Sequence, residues 1–416
     1  MRSWDAPEVP EVAHRSAGVE ATLRLHDTAS GEVRPVGPAE GTARMYVCGI
    51  TPYDATHLGH AFTYLTFDLV NRQWRDLGLD VRFAQNVTDV DEPLLERAEQ
   101  TGRDWQDLAA EQIALFRDDM EALRIIPPQD YVGAVESVHT VAGLVDSMRP
   151  SGAVYQIDDP DHPDWYFSCV QAPGFGDVSH LDRDAMRRVF AENGGDPDRP
   201  GKRDPLDCLV WRFERPGEPS WDSRLGRGRP GWHIECTAIA LDRLGPRIDI
   251  QGGGTDLAFP HHEMCAAEGM VASHQAFAES YVHVGMVGLD GEKMSKSRGN
   301  LEFVSRLRAQ GVDPMIVRVA LLAHHYRDNW EWTPQHLDAA ARRLAGWREG
   351  LAAAGAVDAG GVVDRLRDAL RADLDVVAAA GVLDDWAAAS RSAIDTDPGA
   401  ARLVADAVDA LLGVRL

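Results

Sequence analysis

Arg44-Met45-Tyr46-Val47-Cys48-Gly49-Ile50-Thr51-Pro52-Tyr53-Asp54-Ala55-Thr56-His57-Leu58-Gly59-His60 decides the fold. The apolar run that ends at Cys48 predicts a buried strand, and the Gly- and Pro-bearing stretch after it a loop. From about Ala61 to Asp76 the apolar positions Phe62, Leu65, Leu69 and Trp74 recur at helical spacing. Gly78 ends that helix, and Val81 to Val87 predicts a second strand. A strand–helix–strand unit opens a parallel sheet, so the expected fold class is α/β.

The pattern divides the rest of the chain. Residues 1–43 are rich in Pro, Gly and Glu and predict an N-terminal arm with one short strand near 21–25. Residues 44–128 form the first half of the α/β domain, with helices between Asp91 and Arg124 that stop before Pro127-Pro128. Residues 129–229 predict an inserted subdomain: a helix near 131–149, short strands near 153–156 and 165–168, then loops. The second half, 230–288, alternates helix (Trp232 to Leu244), strand (Arg247 to Gln251), helix (His262 to Ser273) and strand (Tyr281 to Val287). A turn-rich loop and stem occupy 289–312, and 313–416 predicts a helical domain with breaks near 355–361 and 395–399.

Composition excludes some classes. The chain is 44% hydrophobic and 26% charged, as in ordinary soluble globular domains. It has no charged-then-apolar N-terminal pattern and no run of 18 apolar residues, so no membrane segment is expected. Five scattered cysteines without a C-x-x-C point to a reducing, cytoplasmic setting. A formal net charge of −24 repels polyanions at long range.

Only three of the 42 basic residues are lysines, Lys202, Lys293 and Lys296, and two of them share Lys293-Met294-Ser295-Lys296-Ser297. Chance drift would account for them; so would a need for compact charges that follow a moving phosphate. His57-Leu58-Gly59-His60 stands where a strand turns into a helix, whose N-terminus favours anions. By itself it also suits surface histidines. Gly252-Gly253-Gly254-Thr255-Asp256 follows a strand and reads as a nucleotide-holding turn or simply a flexible one.

Together, H-x-G-H and K-M-S-K-S about 230 residues downstream resemble the paired motifs of the class I aminoacyl-tRNA synthetases. The resemblance implies a Rossmann-like parallel-sheet catalytic domain with an inserted subdomain and a C-terminal helical bundle. It implies that His57, His60, Lys293 and Lys296 are catalytic in forming an aminoacyl-adenylate. The adenylate would lie on Cys48, Gly49, Ile50, Thr51, Thr63, Asn86, Val87, Thr88, Trp232, Gly254, Thr255, Asp256, Val287 and Lys296. Mg²⁺ would accompany the ATP.

Cys48, Cys236 and His261 are spaced too widely for a zinc finger, and buried cysteine is common as a small hydrophobe. Their surroundings, Tyr46-Val47-Cys48-Gly49-Ile50, Gly231-Trp232-His233-Ile234-Glu235-Cys236 and Phe259-Pro260-His261-His262-Glu263, resemble those of the cysteinyl-tRNA synthetases. So do Asn86-Val87-Thr88-Asp89-Val90-Asp91 and Arg203-Asp204-Pro205-Leu206-Asp207. The resemblance implies one Zn²⁺ on Cys48, Cys236 and His261, with a position left for the substrate sulfur. Cys265 stands where that family has a glutamate ligand; a substitute ligand and an inert core thiol both fit. Trp232, one helical turn before Cys236, would wall the thiol pocket or belong to the core.

Two departures concern the acceptor. Residues 358–416 hold 11 Asp and six Arg but no Lys, and no RNA-reading cluster is evident. Glu192-Asn193-Gly194-Gly195-Asp196-Pro197 and Ser3-Trp4-Asp5-Ala6-Pro7-Glu8-Val9-Pro10 resemble segments of the mycothiol ligases, with Asn193 in place of an arginine. That resemblance spans nearly the whole chain and implies a ligase joining cysteine to the amine of glucosaminyl-inositol. The implied partners are ATP, L-cysteine and glucosaminyl-inositol, with no nucleic acid, no membrane and a monomeric state. Asp89 is a candidate base for the amine, or a structural cap. The alternatives are a cysteinyl-tRNA synthetase and a non-catalytic adenylate-binding paralogue. Lys202 has no role in this reading.

Overall fold

The computed structural model describes residues 1–12, 21–53, 56–289 and 301–416, together with the backbone of 292–293. A hairpin of β1 (Arg24–Asp27) and β2 (Glu32–Pro35) comes first, where the pattern gave a single strand. The first α/β half contains β3 (Thr42–Val47), α1 (Leu58–Asp76), β4 (Asp80–Val87), α2 (Glu92–Thr101), α3 (Trp105–Ala122) and β5 (Asp130–Gly133). Next are α4 (Ala134–Met148), β6 (Val154–Gln156), β7 (Trp165–Phe167), α5 (Arg183–Glu192), β8 (Cys208–Phe213) and β9 (Gly228–Pro230). The α/β pattern resumes with α6 (Trp232–Leu244), β10 (Ile248–Gly254), α7 (Glu263–Ser273) and β11 (Ala278–Val284).

The main sheet is parallel throughout, in the order β11-β10-β3-β4-β5. In chain order this is the doubly wound Rossmann arrangement, whose winding direction reverses beside the first strand. Side chains alternate along β3: Met45 and Val47 enter the core shared with α1, whereas Tyr46, and Cys48 just beyond the strand, enter the cluster under α6. β5 corrects the sequence reading, which began a helix near 131 and placed it in the insert; residues 130–133 are instead the sheet's edge strand. Four residues after Pro127-Pro128 are too few to show a period.

The insert carries its own antiparallel sheet, β6-β7-β8-β9. Its first two strands lie where the pattern put them, while β8 and β9 occupy stretches that read as loops. After β11 come β12 (Val287–Leu289), β13 (Glu292–Lys293), α8 (Val304–Ala309), α9 (Pro314–Leu321) and β14 (Trp330–Glu331). The helices α10 (Gln335–Ala353), α11 (Ala359–Arg371), α12 (Val376–Ser392) and α13 (Pro398–Leu412) follow. Among the described residues no helix is long and apolar enough to cross a membrane.

The C-terminal helices are locked to α1 by a buried ionic node. Asp68 on α1 accepts from Arg72 Nε at 2.8 Å and from Arg318 on α9, all three with side chains fully buried. The guanidinium groups also donate to main-chain carbonyls: Arg318 to Leu412 and Leu123 at 2.7 and 2.6 Å, Arg72 to Asp409 and Arg124 at 2.8 Å each. Burial alone would raise the Asp68 pKa, but Arg72, Arg318 and the Ile126 N–H more than offset it and hold it below its ordinary value. A depressed folded-state value means that Asp68 stabilises the fold above the unfolded carboxylate pKa, and that this is lost as pH falls through the folded value. Asp68→Asn should therefore destabilise the protein by about 3–5 kcal/mol at neutral pH, because two buried cations lose their counter-charge. Urea unfolding at pH 7 measures this; a loss below about 1 kcal/mol would mean that the node is replaceable.

Candidate active site

The carboxyl ends of β3 and β10 lie side by side and then part. Cys48 N donates to Gly252 O at 3.0 Å as the last link between them. Beyond it Gly49 N donates to Asn86 Oδ1 at 2.7 Å, and a Cβ on Gly49 would come within 1.7 Å of the Asn86 carbonyl, so the turn requires glycine. At Gly252 a Cβ would lie 2.2 Å from the Phe67 ring, which lets α1 settle against β10. These contacts open a crevice at the point where the sheet's winding reverses.

Helix α1 starts at Leu58, three residues earlier than its apolar pattern suggests, and His57 is its N-cap. The His57 Nδ1 accepts from His60 N at 3.4 Å, and the two rings stack with centroids 3.7 Å apart. Both imidazoles therefore sit in the helix's first turn and line the crevice. The same turn is stitched to the chain that follows the lysine motif: Leu58 N donates to Glu302 O at 2.9 Å and Val304 N to Thr56 O at 3.1 Å. Lys296 lies outside the described residues. For Lys293 the backbone alone is described, paired with Gly288 of β12.

On the other face of the sheet, ligand atoms of Cys48, Cys236 and His261 lie within 4.8 Å of one another, all buried. α6 carries Cys236, and His261 lies in the turn before α7. His261 turns Nε2 toward Cys236 Sγ at 3.3 Å, and its Nδ1 meets His233 Nδ1 at 2.9 Å, so the second ring orients the first. Trp232 stacks on His261 at 4.3 Å and also lines the crevice, forming the wall between the two. Burial pushes the Cys48 and Cys236 thiols up and His261 down, so without a cation all three are neutral. The buried Tyr46 hydroxyl lies against the Cys236 thiol and the buried Gln251 amide against Cys48, and each favours the thiolate. Two soft sulfurs, one imidazole and donors waiting beside the sulfurs fit a divalent metal ion.

Cys265 does not join this set. Its Sγ donates to His233 O at 3.4 Å and stays 3.9 Å from His261 Nε2. Glu263 is used elsewhere, accepting from Gly176 N and Ser179 N at 2.8 Å each. Cys48 Sγ contacts His262 Nε2 at 3.3 Å, and His262 continues through His283 to Thr28 at 2.8 and 2.6 Å.

One cavity of about 1020 Å³ runs from the crevice to the insert. Of the expected adenylate residues, Cys48, Gly49, Ile50, Thr51, Thr63, Trp232, Gly254, Asp256 and Val287 line it. Asn86, Val87, Thr88 and Thr255 do not; Asn86 stands behind Gly49 and donates to Thr88 Oγ1 at 3.1 Å. Asp89 is also off the cavity, accepting from Val135 N at 2.9 Å near the start of α4, with burial pushing its pKa up to about 6. Asp91, two residues on, is on the wall, raised by burial and by the adjacent Glu92. Sequence reasoning missed the far wall, which includes Glu96, Tyr166, Arg199, Arg212 and Arg215. Their one signal was the Gly194-Gly195-Asp196 turn beside them.

The fold and this site define a catalytic domain of the class I aminoacyl-tRNA synthetase type. The model of the tRNA synthetases class I (C) catalytic domain matches residues 36–342. The fold is also that of methionyl-tRNA synthetase from Mycobacterium tuberculosis, in complex with methionyl-adenylate, at TM-score 0.65 and 16% identity over 89% of this chain and 92% of that one. A leucyl enzyme from Agrobacterium radiobacter K84, in a ternary LeuRS-tRNA-LeuAMS complex, gives TM-score 0.64 at 11% identity over 91% of this chain and 85% of that one. Closer in sequence are two proteins named L-cysteine:1D-myo-inositol 2-amino-2-deoxy-alpha-D-glucopyranoside ligase. Those of Nocardiopsis dassonvillei and Streptosporangium roseum are each 59% identical, over 100% of both chains. The chain belongs to this ligase family within the class I synthetase group.

Removing one metal-ligand candidate should abolish stoichiometric metal, whereas loosening the ring behind it should only weaken binding. Elemental analysis after dialysis should find one divalent metal per wild-type chain and per Cys265→Ala chain, and none in Cys236→Ala. His233→Ala should lower metal affinity by about 10- to 100-fold. Metal lost from Cys265→Ala would make that thiol a ligand.

Proposed function

We propose that the chain is an ATP-dependent, AMP-forming ligase that activates L-cysteine as cysteinyl-adenylate and passes it to the amine of glucosaminyl-inositol. The observation that carries this reading is the cavity that joins the His57/His60 helix start, the wall of the buried thiol–imidazole set and an insert wall of carboxylates and arginines. The full-length relatives supply the acceptor in their name.

The cysteine carboxylate attacks the α-phosphorus of ATP and pyrophosphate leaves with the bond that breaks. Such a step depends on positioning and charge stabilisation more than on covalent chemistry. His57 and His60 donate to the phosphate oxygens as charge develops, helped by the N-terminus of α1. Lys293 and Lys296 neutralise the departing pyrophosphate, with Mg²⁺ on the nucleotide. Asp256 and Gly254, on the crevice wall, would hold the ribose. Cys48, Cys236 and His261 would hold Zn²⁺, which when bound would supply a soft site for the substrate sulfur and so separate cysteine from serine, a distinction that a shaped pocket makes poorly. Trp232 closes the wall over that thiol. In the second step the neutral amine attacks the activated carbonyl, the carbon–nitrogen bond forms and AMP leaves. The amine's proton goes to a carboxylate on the cavity wall. Asp91 lines that wall as the N-cap of α2, and burial raises its basicity, whereas Asp89 lies off the cavity.

The test is AMP release from ATP and cysteine with either glucosaminyl-inositol or tRNA as acceptor. Release with glucosaminyl-inositol alone is expected; release with tRNA alone would make the chain a cysteinyl-tRNA synthetase. Cysteine-dependent pyrophosphate–ATP exchange should proceed without any acceptor and should fall by about 10²-fold or more in His57→Ala. No exchange in the wild type would leave only a non-catalytic adenylate binder.

A further inference from the structure

The cavity is larger than activation requires. At about 1020 Å³ it reaches the upper end of the roughly 300–1,000 Å³ range that serves one small ligand. The groups that handle ATP and cysteine are at its inner end. Its outer end is lined by Glu96 on α2, Tyr166 of β7 and the turn 192–196, and none of these has a role in the activation step proposed above.

We propose that this outer end is the seat of the acceptor, that it is built for an uncharged or cationic polyhydroxylated amine, and that Glu96 and Glu192 contact it directly. The proposal rests on the function proposed above and adds the residues that select the acceptor.

The charge pattern is the first argument. Each arginine of this wall is already engaged with a carboxylate. Arg212 grips Glu218 with two bonds of 3.0 Å, Arg215 meets Asp164 at 2.7 Å, and Arg229 meets Glu92 at 2.6 Å. Arg199 is held by Asp159 at 2.8 Å. Guanidinium groups spent in this way offer little to a phosphate. Glu96 and Glu192, by contrast, are exposed on the cavity wall, and no ion pair among the described residues involves either. A free carboxylate accepts from adjacent sugar hydroxyls and draws an ammonium group toward the adenylate.

The second argument is the cost spent on holding the turn still. Lys202 has a side chain only 2% exposed. Its Nζ donates to Asp196 Oδ1 at 3.0 Å, Asp196 O at 3.1 Å and Pro205 O at 2.9 Å. Asp196 also accepts from the Tyr166 hydroxyl. Beneath, the Phe190 ring lies so close that a Cβ on Gly195 would come within 2.5 Å of it. Burying an ammonium group is expensive unless it is fully paired, and here the expense fixes one turn at the mouth of the cavity. A rigid turn gives Glu192 a set position toward a ligand. Lys202 is therefore a positioning residue, acting through Asp196.

The experiment uses the full chain with its metal and measures two activities. One is acceptor-free, cysteine-dependent pyrophosphate–ATP exchange; the other is AMP release at varied glucosaminyl-inositol. The double variant Glu96→Gln, Glu192→Gln removes only exposed charges. It should raise the acceptor KM about tenfold or more while leaving the KM values for ATP and cysteine in exchange at wild-type levels. Lys202→Met should likewise raise the acceptor KM, without changing the exchange rate. An unchanged acceptor KM in the double variant overturns the proposal, and so does a parallel fall in exchange, which would put these carboxylates in the activation site. If the wild type exchanges but does not release AMP with glucosaminyl-inositol, the earlier reading of the acceptor has failed, independently of these residues.

Discussion

Parallel pairing of β3 with β10 is the constraint on which the rest of the molecule depends. β3 also pairs with β4, so the chain winds away from it in both directions and leaves a crevice at the strand ends. The same register sends alternate residues to opposite faces. Val47 faces the core under α1, which begins with the two stacked imidazoles; Cys48 faces α6 and the thiol set.

Burial shapes the second face differently from the first. His57 and His60 are partly open to the crevice, whereas His233, His261, His262 and His283 are enclosed and their pKa values are pushed down by desolvation. A neutral imidazole donates through one nitrogen and accepts through the other. The tautomer of His283 therefore sets the direction of the bond from His262 to Cys48. The hairpin at the start of the fold therefore reaches the sulfur at the sheet's centre through two rings.

Much of this was legible in the sequence, for identifiable reasons. The first strand–helix–strand unit has long, regular apolar periods, and the expected α/β class follows from it. The start of α1 was missed because its cap is His57 rather than one of the usual Ser, Thr, Asp or Asn caps, so no start signal precedes Leu58. β8 and β9 were missed because they lie among Gly, Pro and Arg residues and are stabilised by cross-strand partners rather than by their own period. Motifs brought Cys48, Cys236 and His261 together correctly as neighbours. Of the outer cavity, only the segment from Glu192 to Pro197 was legible. Arg229 and Glu92 are 137 residues apart, and Tyr166 and Asp196 are 30 apart, so no local pattern links them. The scarcity of lysine marked Lys202 as unusual, but only its burial against Asp196 shows what it does.

The node around Asp68 has a consequence for how this chain can change over time. Its guanidinium groups are satisfied by carbonyls of α13 and of the turn after α3, two places separated by nearly three hundred residues. The C-terminal helices are in this respect a wall of the catalytic domain and not an appended module. Exchanging them for another domain by recombination would strand two buried cations, whichever sequence replaced them. Lineages that keep this node are therefore held to their C-terminal architecture, while the exposed loops of the insert remain free to vary and to retune what the enzyme accepts.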